Sequence, residues 1–156
     1  MQIGSIMGIE QDIKQEKFQS EYQKLFVNIA YTNSFLSTIL SNYLKPYKLS
    51  MQQYNVLRIL RGQYPKAVSI NSITDRMIDK MSNASRLVDK LQTKELVERT
   101  KCIHDKRQVD IELSTKGLET LNLLDKVLPN FESDFQQLTT AEAKKLNELL
   151  DKLRTT

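Results

Sequence analysis

The chain has 156 residues, enough for one domain with or without a small oligomerisation element, and too few for a typical (β/α)₈ barrel. A hydrophobic content of 40% supplies a core and, beside 27% charged residues, excludes a disordered chain. Lys and Arg number 23 against 19 Asp and Glu, a net of only +4, while 4 Gly and 3 Pro are too few for a turn-rich all-β fold and point to long helices.

A single cysteine, Cys102, excludes an intrachain disulfide framework and suits a reducing compartment. The N-terminal sequence MQIGSIMGIEQDIKQ lacks the pattern of a secretory signal, and no run of about 18 apolar residues occurs. The expectation is a soluble, cytoplasmic protein.

From about Ile9 to Leu44 the residues Phe18, Tyr22, Leu25, Ile29, Leu36, Ile39 and Tyr43 recur at spacings of three and four, with Thr32 at the one polar step. This predicts one long amphipathic helix whose seam needs cover from outside its own compact domain, most simply from a second subunit. Pro46 ends the pattern. Ser50 and Gln53 form a capping-box signature opening a helix through about Arg61, with Tyr54, Leu57 and Leu60 on its inner face. Gly62 to Lys66 reads as a turn and AVSI at 67–70 as a very short strand. Ser69 caps a short helix carrying Ile73, Met77 and Ile78. Asp79 or Ser82 caps the next, whose Ala84, Leu87, Val88 and Leu91 share a face.

After residue 95 the period becomes two-fold. Val97, Arg99, Lys101 and Ile103 lie in one extended segment, and Val109, Ile111 and Leu113 alternate with Asp110 and Glu112 in another, so His104 to Gln108 form a hairpin loop. Ser114 caps a helix with Leu118, Leu121, Leu124 and Leu128 that bends or stops at Pro129. Thr139 and Glu142 make a second capping box before Leu146, Leu149, Leu150 and Leu153. The predicted fold is mainly α with a small β-hairpin.

Three short helices followed by a hairpin form a winged helix-turn-helix, in which the second of two linked helices enters the DNA major groove and the hairpin reaches the flanking backbone or minor groove. The outward residues at the second helix and its approach are Lys80, Ser82, Asn83, Ser85, Arg86 and Lys90. Arg86 suits a guanine edge or a phosphate, Asn83 an adenine, and the serine hydroxyls permit close approach to the backbone. Any surface helix also shows polar residues to water. At the hairpin tip stand Asp105, Lys106 and Arg107. An arginine there suits a narrow minor groove and a carboxylate can hold it extended, although a solvated turn has the same composition.

The stretch MIDKMSNASRLVDKLQTKELVERTKCIHDKRQVDIELSTKGLETL, from Met77 to Leu121, resembles the MarR family of transcriptional regulators. The most specific pieces are SRLVDKL at 85–91 and DKR followed by VDIELSTKG at 105–117. The resemblance implies a homodimer with long N- and C-terminal dimerisation helices around winged helix-turn-helix domains, binding a pseudopalindromic double-stranded operator. On that reading residues 1–44 are the N-terminal dimerisation helix, 45–113 the DNA-binding domain and 114–156 the C-terminal dimerisation helices. Ser82 to Arg86 and Lys90 would take the recognition-helix positions, Arg107 would be the wing arginine and Asp105 the carboxylate that orients it. Glu95 stands where the family commonly has glycine, so a left-handed helix end would be made by a non-glycine residue or avoided. Lys106 stands where a second arginine is frequent, which keeps the charge and loses bidentate geometry.

Charge placement agrees. Residues 45–107 carry 14 Lys and Arg against 6 Asp and Glu, a net of +8, while residues 1–44 carry −1 and 108–156 carry −3. His104, Cys102 and Asp105 lack a fourth ligand and the directionality of a metal site, and Cys102 reads as a passive thiol. No nucleophile–base pair, phosphate loop or supported carboxylate pair is present, so neither an enzyme nor a cofactor is expected. Relatives often bind phenolic or other lipophilic effectors, and Tyr31, Tyr47 and Tyr54 are the residues offered for such a ligand, against the alternative of ordinary rim packing. The expected function is a homodimeric repressor. The competing reading is a winged-helix protein-interaction module without operator binding.

Overall fold

The structure, a computed structural model, describes residues 8–101, 109–133 and 137–155. It divides into two compact units, residues 1–42 and 43–156. The first holds α1 (Ile9–Asp12) and most of α2 (Glu21–Leu44). The single helix expected over 9–44 is therefore interrupted. Lys14 takes a left-handed conformation, φ 55°, that a helix cannot continue through. Helix α2 then starts afresh on Ser20, whose Oγ accepts the Gln23 N–H at 3.1 Å while Gln23 Oε1 accepts the Gln19 N–H at 2.6 Å. Ser20-x-x-Gln23 is the same signature that opens the helix at Ser50, and the apolar spacing running through it concealed the break. Of α2 only Leu44 is buried; Tyr22, Leu25, Phe26, Tyr31 and Phe35 are exposed.

The second unit begins with the end of α2 and a 3₁₀ turn, Lys45–Tyr47, where Pro46 sits in the first turn and needs no N–H partner. Helix α3 (Met51–Arg61) follows with its capping box complete: Ser50 Oγ accepts from the Gln53 N–H and Gln53 Oε1 from the Ser50 N–H. Strand β1 (Val68–Ser69), α4 (Ile70–Arg76), α5 (Ala84–Thr93), β2 (Val97–Lys101), β3 (Val109–Leu113), α6 (Thr115–Ser133) and α7 (Thr140–Leu153) complete the order. The strands form an antiparallel sheet in the order β1-β3-β2, with Val68 opposite Ile111, Val97 opposite Leu113 and Lys101 opposite Val109. The core gathers one face of each element: Val56, Leu57 and Leu60 from α3, Ile73 from α4, Val88 and Leu91 from α5, Val97 and Ile111 from the sheet, Leu121 and Leu124 from α6. Each such side chain contributes about 1.5–3 kcal/mol.

Three local expectations are corrected. Helix α4 ends at Arg76, so Met77 is buried beyond its end and Ile78 is 80% exposed rather than packed. Helix α5 is capped by Asn83, whose Oδ1 accepts the Arg86 N–H at 3.0 Å, and not by Asp79 or Ser82. Pro129 does not stop α6, which runs on to Ser133; Pro129 cannot donate to the Asp125 carbonyl, and the helix is tied to α3 before that gap by the Arg61–Asp125 ion pair (2.6 Å) and to the end of α2 beyond it by the edge-to-face contact of Phe131 with Tyr43 (6.2 Å).

The corner joining α5 to β2 fixes the helix against the sheet. The Leu96 N–H reaches back to the Leu91 carbonyl at 3.0 Å and the Glu95 N–H to the Gln92 carbonyl at 2.8 Å, a Schellman end with Leu91 and Leu96 both buried. Its left-handed residue is Glu95, φ 62°, without glycine; Glu95 pairs with Lys116 across the corner at 2.7 Å, and this partner holds its carboxyl below the usual range. Lys94 turns inward and donates to the Lys48 carbonyl and, at 2.8 Å, to Oε1 of the buried Gln53. The Ser114 hydroxyl donates to the Glu95 carbonyl at 2.6 Å and accepts the Gly117 N–H at 3.0 Å, starting α6. Gly117 is required by this approach: a Cβ there would lie 2.1 Å from the Leu96 carbonyl oxygen.

Two stability measurements test the corner. Gly117→Ala should lower unfolding free energy by about 1–3 kcal/mol in urea at fixed protein concentration, because backbone must move to admit the methyl group; an unchanged midpoint would show that α6 shifts freely. Gln53→Ala should cost about 1–3 kcal/mol by stranding Lys94 Nζ and the Ser50 N–H, whereas the exposed neighbour Gln52→Ala should stay within about 0.5 kcal/mol.

Candidate nucleic-acid interface

Helix α5 is amphipathic in the simplest way. Ala84, Val88 and Leu91 are buried at successive turns and Leu87 is half-buried, which turns Ser85, Arg86, Asp89 and Lys90 outward. Its first turn holds no acidic residue, so the partial positive charge of the helix N-terminus is not offset by a carboxylate there. Among the described residues the side chains of Ser85, Arg86 and Lys90 have no hydrogen-bond or ion-pair partner, whereas Asp89 is paired with Arg99 of β2. The free charge on this face is therefore cationic.

The approach to α5 is held rather than loose. The Ile78 N–H donates to Asn55 Oδ1 of α3 at 3.0 Å. Asp79 accepts the Met81 N–H at 3.0 Å and the Ser82 hydroxyl at 2.6 Å, and these donors, the hydroxyl foremost, keep its carboxyl below the usual range. Lys80 Nζ donates to the Asp75 carbonyl at 2.5 Å, closing the end of α4. Asp79, expected from the sequence as a helix cap, instead holds this turn, a role that the Asp-x-x-Ser spacing at 79–82 could have signalled. Asn55 was not singled out, and nothing local announced it, since it acts across 23 residues.

The geometry sorts the expected recognition residues. Arg86, Ser85 and Lys90 stand free on one helix. Ser82 is half-buried with its hydroxyl committed to Asp79, and Lys80 is committed to α4 while remaining exposed. Asn83 uses Oδ1 as the helix cap, so a bidentate grip on adenine, which needs Oδ1 and Nδ2 together, is incompatible with the cap as it stands. Asp105, Lys106 and Arg107, with His104 and Cys102, lie outside the described residues; the strands leading to them are paired through Lys101 and Val109.

The three tyrosines are divided between the two units. Tyr31 lines a cavity of about 500 Å³ in the first unit with Gly8, Ile9, Asp12, Asn28, Thr32 and Phe35. Tyr47 and Tyr54 belong to the second unit, where Tyr54 is buried, its hydroxyl pKa pushed up by that burial, with the Arg58 guanidinium 5.8 Å from the ring centre. Among the described residues no group of three His, Cys, Asp or Glu could hold a metal, and no helix is long and apolar enough to cross a membrane.

Residues 49–109 match the sequence pattern of the MarR family. No curated protein sequence matches the chain. Solved structures do. A mutant MarR from E. coli complexed with operator DNA is 23% identical, with 89% of this chain and 99% of that one covered and a TM-score of 0.80. A MarR transcription factor from Planctomyces limnophilus is 29% identical over 88% and 98% of the two chains, TM-score 0.64. An organohalide-sensing transcriptional regulator in its 2,4-dichlorophenol-bound form is 20% identical over 99% and 88%, TM-score 0.80. The family pattern is thus matched across α3, α4, α5 and β2, and over nearly its whole length the chain is similar in fold to winged-helix structures of the MarR family.

Proposed function

We propose that this protein is a homodimeric, cytoplasmic transcriptional repressor that binds a pseudopalindromic double-stranded operator and is released from it by a small lipophilic or phenolic effector. The observation that carries the reading is α5, a capped helix whose outward Ser85, Arg86 and Lys90 have no partner among the described residues while the nearby carboxylates of Asp79 and Asp89 are both engaged. The net +8 of residues 45–107 supports it, as does the operator-bound MarR of E. coli with the same fold. Arg86 grips a base edge or a phosphate and Lys90 a phosphate, with Lys80, Ser82, Asn83 and Ser85 lining the approach to the backbone. By family resemblance Arg107 enters the minor groove, held extended by Asp105 and flanked by Lys106.

A second copy is called for by apolar surface that one chain leaves uncovered. On α7, Leu146, Leu149 and Leu153 are exposed and no residue is buried. On α2, Tyr22, Leu25 and Phe26 are exposed. Residues 1–44 and 114–156 are then the dimerisation helices around the 45–113 DNA-binding domain, and the dyad sets the two α5 helices about 34 Å apart, one helical turn of DNA. Repression needs no further machinery, since a dimer seated on an operator blocks polymerase. Effector release is supported by the ligand-bound relative and by the cavity at Tyr31, of a size that admits a small aromatic molecule.

Two measurements decide the reading. In fluorescence anisotropy with DNA from its own genomic neighbourhood, affinity should fall steeply with salt, and Arg86→Ala and Arg107→Ala should each weaken binding by about 1–3 kcal/mol; uniform loss over all sequences marks a phosphate contact, relaxed preference at one base pair a base contact. Absence of any shift at low salt and micromolar protein would instead favour a protein-interaction module. In sedimentation equilibrium the chain should be dimeric, and the paired change Leu146→Glu with Leu149→Glu should give a monomer whose 45–113 domain stays folded, since both side chains lie outside its core and face water in the single chain; a dimer that survives the change would remove α7 from the interface.

A further inference from the structure

The turn between α4 and α5 holds two large apolar side chains in water. Ile78 is 80% and Met81 94% exposed, while Met77 beside them is buried. A flexible loop could fold such residues away, but this turn is fixed at three points: the Ile78 N–H on Asn55, the Met81 N–H on Asp79 Oδ1 and the Ser82 hydroxyl on Asp79 Oδ2. All these bonds on residues 78 and 81 are made by main chain, so a polar side chain at either position would leave every one intact. The fold does not require apolar residues there.

The surroundings say what the apolar side chains meet. Lys80 lies between them, and the cationic outer face of α5 with Arg86 begins a few residues on. The surface is thus a basic one with an apolar point at its leading end. On the major-groove edge of B-DNA every feature is a hydrogen-bond donor or acceptor except one, the thymine C5-methyl group. Residues at the N-terminal end of a recognition helix are those that reach base edges, and methionine, unbranched and polarisable, adapts to an apolar group of imposed position.

We propose that Met81 is a specificity-determining residue that packs on a thymine methyl group in the operator, with Ile78 in the same turn bordering the contact. The proposal rests on the operator-binding reading above and adds to it a thymine preference that Ser85, Arg86 and Lys90 do not supply. Asp79 is then a positioning residue, because its Oδ1 accepts the Met81 N–H while its Oδ2 accepts the hydroxyl of the adjoining Ser82.

The test removes the methyl group from the DNA and the side chain from the protein in turn. DNA bound by the wild-type full chain is selected from a random library, each conserved thymine is replaced by uracil, and affinities of wild type and Met81→Ala are measured at one salt concentration. At one thymine per half-site, uracil should weaken wild type about three- to five-fold, the size expected for one buried methyl group, and should leave Met81→Ala unaffected. The variant should melt with wild type, since the side chain touches almost nothing in the free protein. Wild type insensitive to uracil at every thymine, or a variant that stays equally sensitive, overturns the assignment of Met81 while leaving operator binding intact. A wild type that selects no DNA overturns the operator reading itself, and this inference with it.

Discussion

The orientation of α5 depends on one half-buried interaction, the ammonium of Lys94 held by the Lys48 carbonyl and Gln53 Oε1. Burial pushes its pKa down, and the nearby charges of Lys90 and Lys48 push in the same direction, so the charged form is kept there by its acceptors against its surroundings. Gln53 in turn completes the cap of α3 with the same oxygen. The start of α3 and the end of α5 therefore share one acceptor. From that point the chain has little choice: Glu95 must turn left-handed, Leu96 must enter the core, and its carbonyl must meet α6 where only Gly117 leaves room. Helix α5, the sheet and α6 are thereby set against each other within three residues of sequence.

The same economy governs charge on the α5 side. On the proposed reading this surface meets a polyanion, and three carboxylates on or beside α5 are each given a donor. Asp79 takes the turn N–H and a serine hydroxyl, Asp89 takes Arg99, and Glu95 takes Lys116. The pairings are exposed and contribute little to stability. Their consequence is directional, because they neutralise acid and anchor the turn while Arg86 and Lys90 have no partner among the described residues. The overall charge of +4 hides this, being a basic segment of +8 flanked by acidic ends.

Much of this was legible in the sequence where the governing interaction spans three or four residues. The caps at Ser50, Ser69 and Thr139, and the serine that starts α6, are visible as spacings because donor and acceptor lie within one turn. The outward set Ser85, Arg86 and Lys90 follows from helical period alone. What was misread depends on distant partners or on competing local signals. Asp79, Ser82 and Asn83 are all good caps, and the choice of Asn83 follows once Asn55 has fixed Ile78 and Asp79 has spent its oxygens on the turn. The Gly117 position belongs to a recognisable motif, yet its reason is a carbonyl 21 positions earlier in sequence, which no local pattern carries. The break before α2 was signposted by Ser20 and Gln23 and was overridden by an apolar period that continued through it.

Helix α7 shows where a single chain stops being a sufficient explanation. It has a complete capping box and a leucine face, but no buried residue. A 14-residue helix is marginal in water on capping and propensity alone, since most helical stability in proteins comes from burying an amphipathic face. On the proposed reading the leucine face gains its stabilisation from association with an identical helix related by a two-fold axis. Order in α7 and the spacing of two α5 helices then become one equilibrium: whatever strengthens the dimer also raises the population of chains able to span two successive major grooves, so subunit affinity and operator affinity are thermodynamically linked.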